Sequence, residues 1–251
     1  MPATVQRKHE VPIQKPNAVM LSMQELQWHK LTAVANNLSN ASTPGFKSQI
    51  IRTEESVLKN KENKSVSFVK SGGIVRDLTD GPIKSTGNPL DVALTGRGYF
   101  MVATPSGLRY TRNGQFIISE NSMLTTASGQ AVLNQSGSEI AMPHDLKQIS
   151  IAEDGTLSNQ GVSFGKLGVV TFADENALAS EGSTLYKTSQ DPTPALQFRI
   201  TQGAVEDSNI SPIQESIRLM EILRLFENAQ KVIDQYEDLQ KKTLNASSRN
   251  A

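Results

Sequence analysis

Cysteine is absent from the 251 residues. Disulfides, thiol catalysis and zinc–thiolate centres are therefore excluded. Charge of one sign is not in excess either, with 25 Lys and Arg against 25 Asp and Glu, so no net field points to nucleic acid or an anionic membrane. Histidines are limited to His9, His29 and His144; no two stand at i, i+4 and none has carboxylates at metal-ligand spacing. Aromatics make up 5% of the chain, with a single tryptophan, which argues against a ring-lined binding face. No apolar run approaches the roughly 20 residues of a membrane helix. The opening "MPATVQRKHEVPIQKP" is basic but is followed by no apolar core, so a secretory signal and membrane insertion are not expected.

Catalytic motifs are missing as well. The chain has no G-x-x-x-x-G-K-[ST] phosphate loop and no G-x-S-x-G elbow. Gly96-Arg97-Gly98 lacks the third glycine of a dinucleotide fingerprint, since Met101 stands there, and Tyr99-Phe100 continues as strand, which predicts a β-turn or bulge. An acid–base pair such as Asp91 with Glu153 or Asp154 has no fixed separation in the sequence, and acids of this kind commonly cap turns. No catalytic, cofactor-binding or metal-ligating residue is assigned, and neither an enzyme nor a small-molecule substrate is expected.

What is present falls into four stretches. Residues 1–16 carry three prolines and no period, and read as a disordered extension. From Asn17, a reasonable N-cap after Pro16, residues Met20, Gln24, Gln27, Leu31, Val34 and Leu38 recur three or four apart as one helical seam, with Val19, Met23, Leu26 and Ala33 on its flank. That helix is predicted to stop near Ser39 or Asn40, where asparagine tolerates a left-handed conformation, before Pro44-Gly45 turns the chain. Residues 48–65 are mixed and charged, and read as irregular or partly helical. Residues 66–209 break into short apolar runs separated by turn dipeptides such as Asn113-Gly114, Ser128-Gly129 and Asp154-Gly155, the texture of short antiparallel strands. In 210–251 helix returns, with Ser211 as N-cap, Pro212 at the first helical position and Glu215 in the first turn. Leu219, Ile222, Phe226, Ala229, Ile233 and Tyr236 form an a/d seam, and Leu225, Val232 and Leu239 a second column seven apart. Two seams suggest burial among several neighbours. The expected class is α+β: terminal helices in 17–65 and 210–251 forming a coiled-coil domain, and a central β-domain in 66–209.

Four stretches resemble the bacterial flagellar basal-body rod and hook proteins: "VANNLSNASTPGFKSQ", "GPIKSTGNPLDVALTGRGYFMV", "YTRNGQFIISENSMLTTASGQAVL" and "QGAVEDSNISPIQESIRLMEILRLFENAQKVI". The quoted stretches lie between Val34 and Ile233, and the resemblance extends from about Met20 to Leu244. One departure is the length of chain ahead of the first helix, which in that family starts close to Met1. Where the distal rod subunit shows an Arg-Ala-Tyr-Glu run, this chain has Arg224-Leu225-Phe226-Glu227, which resembles the proximal type. The resemblance implies a non-enzymatic subunit of the rod that crosses the periplasm, with no cofactor. Its implied partners are other rod subunits, copies of itself and the flagellar type III export apparatus, which needs no cleaved signal. Together with the helical seams it implies that Leu31, Val34, Asn36, Asn37, Leu38, Asn40, Phe46, Leu219, Ile222, Phe226, Ala229, Ile233 and Tyr236 meet neighbouring subunits. Pro44 and Gly45 would form the joint between inner helix and outer domain, so Gly45→Val is expected to impair assembly and spare the β-domain. A distal rod or hook-type subunit is the alternative within the family. From another class, an adhesin or carbohydrate-binding β-domain with coiled-coil oligomerisation stays open.

Overall fold

Residues 15–59, 65–145 and 147–249 are described by a computed structural model of the chain. Of the stretch 1–16, residues 1–14 lie outside them. Helix α1 runs Lys15–Ser39, so Asn17 sits inside the first turn and is not the cap. Pro16 is tolerated there because the first-turn N–H groups have no intrahelical acceptor. Helix α2 runs Pro212–Arg249, and its first bond is Glu215 N–H to the Ser211 carbonyl at 3.0 Å, the start that Ser211-Pro212 foretells.

Within the stretch 48–65, expected to be irregular or partly helical, the described residues Gln49–Lys59 and Ser65 are strand instead. β1 (Gln49–Lys59) and β2 (Ser65–Arg76) form a two-stranded sheet. The domain boundary expected at 66 therefore falls inside a strand pair. The β-branched Ile50, Ile51, Thr53 and Val57 favour a pleated strand, a preference that the interspersed charges conceal.

Then follow β3 (Ile83–Ser85), β4 (Val92–Gly96), β5 (Tyr99–Thr104), β6 (Gly107–Thr111), β7 (Phe116–Ile118), β8 (Leu124–Thr126) and β9 (Ala131–Val132). The chain continues with β10 (Ile149–Ile151), β11 (Thr156–Asn159), β12 (Val162–Lys166) and β13 (Val169–Thr171), then a 3-10 turn at Glu175–Ala177. The last strands are β14 (Ala179–Glu181), β15 (Leu185–Lys187), β16 (Thr193–Pro194), β17 (Phe198–Gln202) and β18 (Ala204–Glu206). In the largest sheet the order is β14-β15-β6-β5-β9-β8-β7, with β13 also on β5 and β16 on β13. β10-β11-β12 form a second sheet, while β17 pairs with β4 and β18 with β3. These pairings are antiparallel. Asp154-Gly155 and Ser128-Gly129 close β10-β11 and β8-β9, with Gly155 and Gly129 at φ of 86° and 85°. Asn113-Gly114 does not close a hairpin, because β6 and β7 do not pair. There the missing Cβ lets the Val92 carbonyl approach, and Val92 N–H bonds the Gly114 carbonyl at 3.0 Å.

The chain divides into two compact units. One comprises Val34–Ile50 and Val75–Ser216; the other holds the chain up to Ala33, Ile51–Ile74 and the chain from Ile217. In the first, β5 is buried on both faces. Phe100 and Val102 enter a cluster with Val92, Leu94, Phe116, Leu124, Leu157, Leu167 and Ile200, while Tyr99 and Met101 enter another with Tyr110, Phe172, Leu178 and Tyr186. The period of two along a strand sends alternate residues to opposite sides, so one short strand feeds two cores. Each such side chain contributes about 1.5–3 kcal/mol by leaving water. Rings meet edge-on, Phe100 with Phe116 at 5.3 Å and Tyr110 with Phe172 at 4.7 Å, the favoured arrangement of their quadrupoles.

Burial pushes the Tyr99 phenol far above its ordinary value, helped by Glu175, whose carboxylate accepts the Tyr99 O–H at 3.0 Å. Burial raises Tyr186 too, against the lowering effect of Arg76. In the unfolded chain both ionise near the ordinary value of 10.0. Above that pH the unfolded state loses protons that the folded state keeps, so stability falls as pH rises. The melting temperature is expected to hold up to about pH 9 and then decline, more shallowly in Tyr99→Phe. A flat profile to pH 11 would contradict this account of the tyrosines.

Candidate functional site

The segment after α1 is fastened into the Val75–Ser216 body at several points. Asn40 closes the helix: its N–H bonds the carbonyls of Asn36 and Asn37, and its side-chain amide donates to the Asn36 carbonyl at 2.9 Å. It keeps a negative φ, so the expected left-handed stop is not used. Asn37, 1% exposed, reaches past the helix end. Its amide donates to the Gln49 carbonyl at 2.9 Å and accepts the Gln49 N–H at 2.8 Å, pairing like one more strand residue. Asn209 bridges further: it accepts Ser48 N–H at 2.8 Å and donates to the Asp77 carbonyl at 3.0 Å.

At the turn, Gly45 has φ of 71° and its N–H bonds the Glu206 carbonyl at 2.8 Å. A Cβ there would stand 2.5 Å from both the Arg112 carbonyl carbon and the Asn113 nitrogen. Pro44 and Gly45 thus form a turn pressed against strand-end backbone. The expectation that Gly45→Val spares the β-domain is reversed, because the backbone it would strike belongs to that domain.

Beside the turn lies a buried set of charges. Lys47 and Glu206, with side chains 2% and 1% exposed, meet at 2.6 Å. The Lys47 ammonium also donates to the Thr79 carbonyl at 2.7 Å, and Gly81 N–H donates to Glu206 Oε1 at 3.0 Å. Arg112, itself buried, holds Asp80 at 2.6 Å and places its Nε 3.3 Å from Glu206 Oε2. Its Nη1 donates to the carbonyls of Gly96 and Gly98. Two buried cations face the buried Glu206 and the more exposed Asp80, and Lys47 Nζ and Arg112 Nη1 also reach carbonyls. Arg112 Nε and Glu206 Oε2 are paired by charge alone. Pairing of this kind is the condition under which buried charge is tolerated. Sequence reading missed Lys47, Arg112, Asp80 and Glu206. Lys47 and Glu206 are 159 positions apart, and neither belongs to a spaced motif. A fragment 66–209 lacks Lys47 and leaves buried Glu206 with Arg112 alone, without its 2.6 Å partner. It is expected to melt well below a fragment beginning at Val34, by about 3–5 kcal/mol of stability, measured by thermal or urea unfolding.

The residues expected to meet neighbours divide into two groups. Asn37, Phe46, Val34 and Ile222 are buried by their own chain, so they are not exposed to a partner in this conformation; Asn37 is bonded as above. Leu31, Asn36, Leu38, Asn40, Leu219, Phe226, Ala229, Ile233 and Tyr236 are half-buried. Among the described residues of α1, the buried apolar ones are Val34 from the seam and Leu26 and Ala33 from its flank, while Met23 on that flank is exposed. Gln24 Nε2 on α1 donates to Gln230 Oε1 on α2 at 3.0 Å. The second column of α2 is open to solvent, with Leu225, Val232 and Leu239 at 53, 47 and 62% exposure.

Three segments match family models: residues 24–47 the flagella basal body rod protein, 93–159 the flagellar hook protein FlgE/F/G D1 domain, and 201–246 the flagellar basal body rod FlgEFG protein C-terminal. The flagellar basal-body rod protein FlgF of Caulobacter vibrioides is 36% identical over 227 residues, which cover 88% of this chain and 93% of that one. The chain belongs to the flagellar basal-body rod protein family. A second FlgF, from Mesorhizobium japonicum, is 32% identical over 220 residues, 86% of this chain and 91% of its own. The FlgG of Bacillus subtilis is 28% identical over 244 residues, with 86 and 92% covered. This rod protein is thus more like the FlgF pair than that FlgG, and it is a structural subunit of the basal-body rod. Its buried charges draw one residue from each matched segment: Lys47 from the first, Arg112 from the second and Glu206 from the third.

Proposed function

We propose that this rod protein occupies the proximal rod, polymerises helically with copies of itself and with other rod subunits, and carries torque as part of the drive shaft across the periplasm. Its terminal helices act as an inner coiled-coil domain with the β-rich unit outside it, and the chain reaches its site through the flagellar type III export apparatus. The half-buried Leu31, Leu38, Leu219, Phe226, Ala229, Ile233 and Tyr236 belong to that inner packing. The observation that carries the reading is the solvent-exposed apolar column Leu225, Val232 and Leu239 on α2. A helix that leaves a seven-residue apolar repeat in water gains by covering it with another helix.

The test is complementation of a strain lacking the gene. The wild-type chain is expected to restore rods and swimming, whereas the double variant Leu225→Glu/Val232→Glu restores neither. Melting of the β-rich unit stays within about 0.5 kcal/mol of wild type, because both positions face solvent. Normal swimming of the deletion strain, or of the double variant, would overturn the proposal.

A further inference from the structure

The β-rich unit carries an apolar projection at one end of β17 and an apolar groove at the other. Leu196 is 92% exposed, far more than a leucine with a covering neighbour. It is nevertheless held in place. Ala195 is buried in the core and bonds the Val169 carbonyl at 3.1 Å, and Phe198 packs on the same cluster. The missing side chain of Gly96 leaves room for the Gln197 carbonyl, 2.8 Å from where its Cβ would be. The backbone that presents the Leu196 knob is therefore held on both sides, so a contact has only the leucine side chain left to order.

The groove is lined by Pro89, Leu90, Ile118, Lys147, Gln148 and Ile149, with a volume of about 410 Å³. Its place is set by Gln202 at the end of β17, whose amide donates to the Pro89 carbonyl at 2.8 Å and the Ile149 carbonyl at 3.2 Å. β4 repeats the polarity: Gly96 pairs with Phe198 near the knob, and Val92 with Gln202 near the groove. Knob and groove are thus about 15–20 Å apart along one strand pair, and a chain cannot seat its own knob in its own groove.

We infer that Leu196 of one copy seats in the Pro89–Leu90–Ile118–Ile149 groove of a second copy of this chain. This rests on the self-assembly proposed above. Complementary patches at opposite ends of a rigid body make a head-to-tail contact, which repeats in an open helical array and closes no symmetric dimer. Charge does not oppose it: the groove's one charged residue is Lys147, and Asp191 is the only charge in the stretch 190–197. One knob covers far less than the roughly 1,200–2,000 Å² of a stable pairwise interface, so the contact adds to an assembly and does not hold a dimer in solution.

The experiment places the photo-crosslinker p-benzoylphenylalanine at position 196 of the full chain in cells lacking the wild-type gene, followed by irradiation of purified basal bodies and mass spectrometry. The expected product is a covalent dimer of this chain joined at Pro89, Leu90, Ile118 or Ile149. It is lost when Ile118→Asp is added. As a second measurement, Leu196→Asp is expected to keep the wild-type melting curve and to reduce rod recovery. Adducts on a different protein, adducts elsewhere on this chain, or rods that yield no adduct would each overturn the contact. Rods in the deletion strain itself would instead sink the self-assembly reading.

Discussion

Replacing Gly45 with valine is expected to lower the melting temperature of the β-rich unit by about 10 °C. The backbone at φ of 71° costs a β-branched residue about 1–3 kcal/mol. The new side chain also drives into the Arg112 and Asn113 backbone, 2.5 Å from its Cβ, and overpacking of this kind costs about 1–3 kcal/mol more. For a unit of this size each kcal/mol shifts melting by about 2–4 °C. The control is Gly129→Val, at φ of 85° with nothing within 4 Å of its Cβ. It meets the same conformational penalty without the collision and should lose roughly half as much stability. Equal losses in the two variants would mean that the contact with Arg112 does not matter.

Glu206→Leu is expected to produce a loss of similar size by a different route. Lys47 and Arg112 stay buried without their common anion, and removing one member of a buried pair costs about 3–5 kcal/mol. Adding Lys47→Met to Glu206→Leu should return part of that loss. A coupling of about 1–3 kcal/mol in the double-variant cycle is expected, little changed by salt because the pair is out of water. Strict additivity would show that the 2.6 Å contact has no energetic meaning. Both variants should reduce motility only as far as they reduce the folded population, since neither residue is at the surface.

The two experiments bear on what the Asn-rich stretch does. The sequence presents Ala35–Ser48 as a helix stop and joint, and Asn40 does close the helix through Asn36. The tertiary structure turns the rest of the stretch inward. Asn37 pairs with Gln49, Gly45 rests on Arg112, and Lys47 enters the buried charge set. The stretch from Val34 to Ile50 is thus part of the β-rich unit itself.

Legibility followed distance along the chain. The start of α2 at Ser211-Pro212, the end of α1 at Ser39, the turns at Gly129 and Gly155 and the less exposed face of α2 were readable. Each depends on residues within a few positions of one another, where side-chain period and capping act directly. The strand pair β1-β2 was hidden because its charged residues mask the period of two that reveals a strand. Within α1 the spacing does not tell which flank residues are covered: Leu26 and Ala33 are buried and Met23 is exposed.

By itself, then, the sequence determined the absence of thiol chemistry, the two terminal helices, the β-rich middle and the likeness to a rod subunit. All of these rest on residue identity and local spacing. Only the tertiary structure decided that Lys47, Arg112 and Glu206 share one site and that Leu196 and its groove stand at opposite ends of β17. The Arg112–Glu206 and Lys47–Glu206 contacts, between residues 94 and 159 positions apart, leave no local pattern. They exist because burial removes water from around the charges, and only partners carried there by the fold can replace it.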